Sequence, residues 1–224
     1  MRLLAIDTTL AACSVGVSAD DARSPVTVSE VIGRGHAERL LGMVQAAVAA
    51  AGLSVADLDR IAVTIGPGSF TGVRVGIAAA RGLALVTGCA AVGIGTLAVL
   101  AERARALAGA RPVLAVLDAR RGEVYAQSFD RHGAPLGPPE AAAAELVAER
   151  VDEKTLLAGA GADQILAALG QFDAARVVHR DAAPDVAALL RLGRRAPAPA
   201  SPPRPLYLRP PDAKPQAAFA VRRL

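Results

Sequence analysis

One short pattern occurs twice in the chain, about half a chain apart, and it limits the possible folds more than any other feature. Residues 3–17 are typical of an apolar strand that ends at Asp7, a short polar turn and a second strand. Residues 113–129 repeat this order, with Asp118 at the end of the first strand. An internal repeat of this kind predicts a duplicated architecture.

Helical periodicity separates the strands of the first half. Apolar residues recur at three- and four-residue intervals over 36–51, which predicts a helix that stops at Gly52. The run 61–65 is typical of a buried strand, and it leads through a glycine-rich loop, 66–72, into a second helix over 73–86. Strands that alternate with helices indicate the α/β class.

Two α/β halves of this kind resemble the duplicated actin/Hsp70-like (ASKHA, RNase H-like) fold, in which two lobes with mixed sheets face a central cleft. On that basis we predict an N-terminal lobe over residues 1–108 and a reduced C-terminal lobe over 109–196. Residues 197–224 are rich in proline and basic, and we expect them to form a strap without helix or central strand.

The positive charge of the chain is concentrated at its end. Residues 1–179 hold 16 Lys and Arg against 18 Asp and Glu, a net −2, whereas residues 180–224 hold 9 against 3, a net +6. A basic, proline-rich end favours a solvated segment or one that docks on an acidic neighbour. Contact with nucleic-acid phosphates is the open alternative.

Several features point to the cytoplasm. No apolar run reaches the roughly 18–20 residues that span a bilayer. Cys13 and Cys89 lie far apart, with neither a zinc spacing nor a disulfide framework. We therefore expect a cytoplasmic protein with no membrane association.

The glycine-rich loop is the most informative local motif. Its backbone N–H groups, from Gly66 through Gly68 to Ser69, could form a nest for an anion at the start of the second helix. The glycines could equally serve close packing between strand and helix. The loop lacks the Gly-Lys-Ser/Thr ending of a Walker A motif.

Polar residues at the first repeat's turn allow two interpretations as well. Asp7, Thr8 and Thr9 could hold a metal-bound phosphate, or they could be ordinary turn residues. Ser69 has no histidine base that the sequence identifies, and His36 is more typical of a structural residue than of a metal ligand. We expect no catalytic residues, no metal and no cofactor.

Five segments of the chain resemble the TsaB (YeaZ) family. They lie at residues 4–15, 36–41, 66–74, 118–125 and 207–209, and the string Gly-Pro-Gly-Ser-Phe-Thr-Gly followed by Arg74 is the most specific of them. The resemblance implies a relative of the transferase TsaD that keeps its scaffold. In TsaD a His-x-x-x-His pair binds the active-site metal, and Thr96 and Leu100 stand at those two positions here.

The resemblance also implies partners. It predicts a non-catalytic subunit that binds TsaD and, with the ATPase TsaE, supports threonylcarbamoyl transfer to the adenosine next to the anticodon in ANN-decoding tRNAs (t6A formation). Contact with tRNA would then come through the complex, and the isolated chain is expected to form a homodimer.

In that family, the helices equivalent to 36–51 and 73–86 pair with those of TsaD. The apolar residues of both helices exceed a single stripe, which favours a second, partner-facing side. A charged residue in place of Leu41 or Val44 is predicted to abolish binding to TsaD without unfolding the chain. The predicted interface residues are Leu40, Leu41, Val44, Val48, Val75, Ala78, Ala79 and Gly82.

Two other functions remain open from the sequence. A stand-alone ATP-dependent phosphotransferase or metallopeptidase would need tight Mg-ATP binding or an occupied metal site in the isolated protein. An RNA-binding module would rest on the charge of the tail, because the sequence predicts no aromatic-rich face on the body of the protein for base stacking.

Overall fold

The computed structural model describes residues 1–20, 24–170, 174–181 and 183–209. Residues 210–224 of the predicted strap lie outside the described residues. The strands are β1 (Leu3–Asp7), β2 (Ala12–Ser18), β3 (Val26–Val31), β4 (Arg60–Thr64), β5 (Ala90–Ile94), β6 (Val113–Arg120), β7 (Glu123–Phe129), β8 (Glu140–Ala143), β9 (Leu156–Ala158) and β10 (Val177–His179). The helices are α1 (His36–Ala50), α2 (Phe70–Thr87), α3 (Thr96–Ala108), α4 (Ala144–Ala148), α5 (Ala162–Leu169) and α6 (Val186–Arg195).

The two halves build sheets of identical topology. The first sheet has the order β3-β2-β1-β4-β5, and the second has the order β8-β7-β6-β9-β10. In each sheet the central strand, β1 or β6, pairs antiparallel with the next strand of the chain and parallel with β4 or β9, which follows the third antiparallel strand. This repetition confirms the duplicated α/β fold with two mixed sheets.

The environment of β1 explains why its first four residues, 3–6, are all apolar. All five residues are buried, because helices cover both faces of the first sheet. Leu4 and Ile6 pack toward α1 and α2, whereas Leu3 and Ala5 pack toward α6. Adjacent residues of a strand point to opposite faces, so one short run serves two cores.

The helices form layers around the sheets. Helices α1 and α2 cover the outer face of the first sheet, and α4 and α5 cover one face of the second. Helix α3 packs on the other face of the second sheet, and α6 packs on the inner face of the first. Helices α3 and α6 also contact each other, so they fill the space between the two sheets.

Helix α6 complicates the predicted division of the chain. It lies within the predicted C-terminal lobe, 109–196, yet its residues Leu189 and Leu190 share a core with Leu3 and Ala62 of the first sheet. The chain thus returns to the first sheet after completing the second. The domain boundaries stay a prediction.

Strand β8 and helix α4 were not predicted. Residues 140–148 include five alanines, so they show neither the alternation of a strand nor the spacing of an amphipathic helix. Alanine is also a poor strand former, and here β8 depends on pairing with β7.

Helix α2 alone, among the described residues, has the length and composition of a membrane span. Its mean hydropathy is 1.3 over 18 residues, and 28% of these are buried inside the protein. The sequence did not suggest a span here because Arg74 and Arg81 interrupt the apolar run. A helix that packs on a sheet can meet the same criteria, so this is weak evidence of a membrane.

Candidate functional site

The turn after β1 is enclosed by protein. Asp7, Thr8 and Thr9 are each at most 1% exposed. The Asp7 Oδ1 atom accepts hydrogen bonds from the Thr9 N–H at 3.3 Å, the Thr9 hydroxyl at 2.6 Å and the Thr64 hydroxyl at 2.5 Å. Its Oδ2 atom has no hydrogen-bond partner among the described residues. Asp7 therefore braces the turn and is not among the residues that line the cleft.

Burial changes the acidity of this carboxyl group. Desolvation raises the pKa of Asp7 above its ordinary value of 3.8, because the charged form loses its hydration. The hydrogen bonds from Thr64 and Thr9 act in the opposite direction but do not cancel this effect. The carboxyl group thus takes up a proton more readily than an exposed aspartate does.

The glycine-rich loop packs directly on this turn. The Ser69 N–H donates to the Thr9 carbonyl oxygen at 2.6 Å. A Cβ atom on Gly68 would lie 2.4 Å from that oxygen, and one on Gly72 would lie 2.0 Å from the Thr8 carbonyl oxygen. These distances require glycine, so the structure favours close packing as the reason for the motif. An anion-binding role for this loop stays a prediction.

An open cleft of about 690 Å³ lies between the lobes, next to the loop. Pro67 to Phe70 line it on the first lobe, and residues 117–120 with Tyr125 line it on the second. Residues 206–209 of the strap complete its wall. The segments that carry the family resemblance at 66–74, 118–125 and 207–209 therefore meet around one space.

The strap is fixed at its start to the first lobe. The Leu206 N–H donates to the Ile65 carbonyl oxygen at 2.8 Å. The Tyr207 hydroxyl accepts a hydrogen bond from Arg74 Nε at 2.7 Å. The Arg74 guanidinium lies 3.6 Å from the centre of the Phe70 ring, and the Phe70 and Tyr207 rings are 5.1 Å apart. An aromatic and cationic cluster thus holds the strap on the start of α2.

The end of the strap is fixed to the second lobe. Arg209 donates to the Ala119 carbonyl oxygen at 2.8 Å, pairs with the Glu123 carboxylate and lies 5.7 Å from the centre of the Tyr125 ring. The strap therefore ties the two lobes together across the cleft. These contacts were not predicted from the sequence, although residues 207–209 carry one of the segments of family resemblance.

The outer side of α1 and α2 is the second candidate site. Leu41 is 54% exposed, and Leu85 and Val86 are 86% and 84% exposed. On α2, Ala78 is also exposed, and a Cβ atom on Gly82 would meet nothing within 4 Å. Large apolar side chains flanked by small residues leave a surface on which another helix can approach closely.

Three predicted interface residues do not belong to this surface. Leu40, Val44 and Val48 are at most 2% exposed and lie in the core between α1, α2 and the first sheet. Their prediction as partner-facing residues is corrected, because helix spacing placed them on the same apolar stripe without fixing which side faced the sheet. Val75 and Ala79 are half-buried against that core.

Comparison with known proteins identifies the family. The model of the family TsaD, tRNA N6-adenosine threonylcarbamoyltransferase, matches residues 27–185. The tRNA threonylcarbamoyladenosine biosynthesis protein TsaB of Escherichia coli (strain K12) is 42% identical over 157 residues. YeaZ from Pseudomonas aeruginosa is 35% identical, with a TM-score of 0.71 over 85% of this chain and 89% of that chain. The chain belongs to the TsaB (YeaZ) family.

A second solved structure supports this assignment. An uncharacterized Pseudomonas aeruginosa protein, described as similar to peptidase YeaZ, is 32% identical, with a TM-score of 0.79 over 93% of this chain and 99% of that chain. The match to the Escherichia coli TsaB covers 69% of this chain and 66% of that relative, just under two thirds of the relative's length.

Thr96 and Leu100, the two positions at which TsaD has metal-binding histidines, lie at the start of α3. Both are buried; the Thr96 N–H donates to the Gly66 carbonyl oxygen at 2.8 Å, and Leu100 packs in the core on the second sheet. His36 Nε2 lies 3.1 Å from the Leu10 carbonyl oxygen, which is consistent with a structural role. Within residues 1–20, 24–170, 174–181 and 183–209, no group of three or more His, Cys, Asp or Glu could hold a metal ion.

Proposed function

We propose that this chain is a non-catalytic subunit in the formation of threonylcarbamoyladenosine in tRNA. In this proposal it binds a TsaD-type transferase through the outer side of α1 and α2, and it acts with a TsaE-type ATPase in the cytoplasm. The modified base would be the adenosine next to the anticodon in ANN-decoding tRNAs. TsaB-named relatives support the pathway, and the exposed helical face supports the mode of action.

The observation that carries the proposal is the exposure of α2. Apart from Arg74 and Arg81 this helix carries no charged residue, yet only 28% of its residues are buried within the chain. Leu85 and Val86 stand almost fully in solvent beside Ala78 and Gly82. A contiguous apolar patch of this type usually marks an interface with another protein.

The shared scaffold supports a TsaD-type transferase as the partner in this proposal. The TsaD family model matches residues 27–185, and this range includes both α1 and α2. A transferase of that family therefore carries two corresponding helices. Two similar helix pairs can pack face to face into a four-helix arrangement, with small residues allowing close approach. A second copy of this chain could occupy the same face, which makes a homodimer the competing occupant.

Several side chains support a non-catalytic role. Asp7, Thr8 and Thr9 are enclosed, and their polar atoms bind the glycine-rich loop and Thr64. Thr96 and Leu100 lack the imidazole groups that hold the metal in TsaD-type enzymes. The positions that correspond to the transferase site thus serve packing in this chain.

Reconstitution tests the function directly. TsaD, TsaE, unmodified tRNA and threonylcarbamoyl-AMP are combined with and without this chain, and threonylcarbamoyladenosine is quantified in the tRNA. Product is expected only when the chain is present. Equal product in its absence would overturn the proposal.

The isolated chain provides the contrasting test. A stand-alone phosphotransferase or metallopeptidase would bind Mg-ATP tightly or retain a stoichiometric metal ion. Calorimetric titration with Mg-ATP and elemental analysis of the purified protein are expected to find neither. Turnover of a peptide or phosphoryl substrate by the chain alone would contradict the non-catalytic assignment.

A further inference from the structure

The cleft between the lobes gathers aromatic and cationic side chains, several of which also fix the strap. The chain has only six aromatic residues, and three of them, Phe70, Tyr125 and Tyr207, line this cleft. Phe70 and Tyr207 are 39% and 44% exposed. Phe70 and Tyr125 come from the two lobes and Tyr207 from the strap, so the aromatic wall of the cleft forms only where the strap meets the body of the protein. Aromatic rings at the wall of an open cleft offer flat apolar faces to a planar ligand.

Arginines surround the same space. Arg120 and Arg209 line the cleft, and Arg74 stacks on Phe70 at its wall. Glu123 neutralises Arg209, whereas no acidic side chain among residues 1–20, 24–170, 174–181 and 183–209 pairs with the guanidinium of Arg120 or Arg74. Asp118 lies in the same hairpin and accepts the Arg120 backbone N–H at 2.7 Å. The cleft retains cationic groups that can meet an anion.

The backbone at the hairpin makes one of these arginines unusual. Arg120 and Arg121 have φ angles of 64° and 58°, in the left-handed region that favours glycine or asparagine. The β6–β7 turn would form more easily with glycine, so its geometry does not explain an arginine at position 120. Its exposed guanidinium therefore calls for another explanation.

We propose that this cleft binds an unpaired nucleotide of RNA, with its base against the Phe70–Tyr207 rings and its phosphate near Arg120. Stacking on aromatic side chains and arginine planes, together with cationic contacts to the backbone, is how single-stranded RNA is recognised. A volume of about 690 Å³ is large enough for a single nucleotide. The choice of RNA rests on the proposed function, because tRNA is the substrate of the modification that the chain is proposed to support and the nucleotides of its anticodon loop are unpaired.

Arg120→Gly gives a test that separates binding from folding. Glycine removes the cation and suits the positive φ angle, so the thermal midpoint of the variant should equal or exceed that of the wild type. Arg131→Ala is the matched control, because Arg131 is an exposed arginine beyond the opposite end of β7. The full chain is titrated by fluorescence anisotropy with a labelled anticodon stem–loop RNA, the same stem closed as a duplex, and labelled ATP at several salt concentrations.

The expected result is binding of the stem–loop but not of the duplex. Arg120→Gly should weaken this binding and reduce the slope of log K against log salt by about 0.7, the value for one phosphate contact in a single strand. Arg131→Ala should leave both quantities unchanged. Equal affinity and slope for Arg120→Gly would overturn the proposal, and so would tight binding of ATP without binding of RNA.

The failure of this inference and of the proposed function are distinguishable. If Arg120→Gly keeps its affinity for RNA while the chain still supports tRNA modification in reconstitution, only the cleft assignment is wrong. If the chain binds the stem–loop through Arg120 but adds nothing to modification, the subunit role is wrong instead.

Discussion

At the scale of single residues, Asp7 holds a turn together by hydrogen bonds although burial disfavours its charged form. Three donors converge on its Oδ1 atom, whereas its Oδ2 atom has no partner among the described residues. A buried carboxylate with one unsatisfied oxygen loses more hydration than it regains. This imbalance is the reason that its pKa is raised.

Asp7→Asn is predicted to change how stability depends on pH. Since the pKa of Asp7 is higher in the folded chain than its ordinary 3.8, the folded state binds more protons above that pH. The wild type should therefore lose stability as pH rises from about 4 through the folded pKa, by at most about 1.4 kcal/mol per pH unit. Asparagine keeps an oxygen that can accept the same hydrogen bonds, but its side chain does not titrate in this pH range.

Urea unfolding of both proteins between pH 4 and pH 7 measures this effect. The free energy of unfolding of the variant, relative to that of the wild type, should increase with pH. Parallel profiles would show that Asp7 titrates normally.

Helix α1 has a buried apolar face and, next to it, an exposed one, and this difference leads to a second prediction for single residues. Val44 is 1% exposed and Leu41 is 54% exposed. Val44→Asp places an unpaired charge in the core and should cost on the order of 4 kcal/mol of unfolding free energy. Leu41→Asp should change it by no more than about 0.5 kcal/mol. Chemical denaturation followed by circular dichroism measures the free energy of unfolding of both variants. A similar loss in the two would contradict the assignment of Val44 to the buried face and Leu41 to the exposed face.

At the scale of elements, helix α2 carries two opposite requirements along one sequence. Its first turns pack on the β1 turn so closely that only glycine fits, and its later turns face solvent with small and apolar residues. Ser69 caps its start by accepting the Gly72 N–H at 3.3 Å, and Gly88 ends it with a φ angle of 72°. Glycines at different positions of one helix therefore have different physical roles.

Gly72→Ala and Gly82→Ala form a matched pair within this helix. A Cβ atom at position 72 would lie 2.0 Å from the Thr8 carbonyl oxygen, so alanine should destabilise the protein by about 3 kcal/mol. Nothing lies within 4 Å at position 82, where alanine should stabilise the helix by about 0.5–1 kcal/mol. Thermal melts of the two variants should move in opposite directions; a shift of the same sign in both would refute this account of α2.

Local pattern explains which elements could be predicted. Strand β4 and helix α1 have strong apolar patterns or clear end signals, and the structure has them within about a residue of the predicted bounds, 61–65 and 36–51. The inward face of α1 could not be predicted, because Leu40, Leu41, Val44 and Val48 form a band wider than one stripe. The phase of a helix is decided by the sheet beneath it, which lies elsewhere in the sequence.

At the scale of the whole molecule, the repeat of strand, aspartate, turn and strand predicted a duplicated architecture, and the structure has two sheets with the same order of strands. The contacts of the strap and the lining of the cleft could not be predicted, because they depend on contacts across 133 residues from Arg74 to Tyr207 and 90 residues from Ala119 to Arg209. Contacts between residues so far apart in the chain produce no periodic pattern that a single sequence would show. The return of α6 to the first sheet is hidden for the same reason.

The central claim is that the outer side of α1 and α2 binds TsaD, and sedimentation velocity tests it most directly. TsaD is mixed with the wild-type chain, with Leu41→Glu, with Leu85→Glu, and with the control Leu136→Glu, whose residue is 68% exposed on the second lobe. A complex should form with the wild type and the control, and should be lost with both face variants while their circular dichroism spectra stay unchanged. A complex of undiminished affinity with Leu41→Glu and Leu85→Glu would contradict the account.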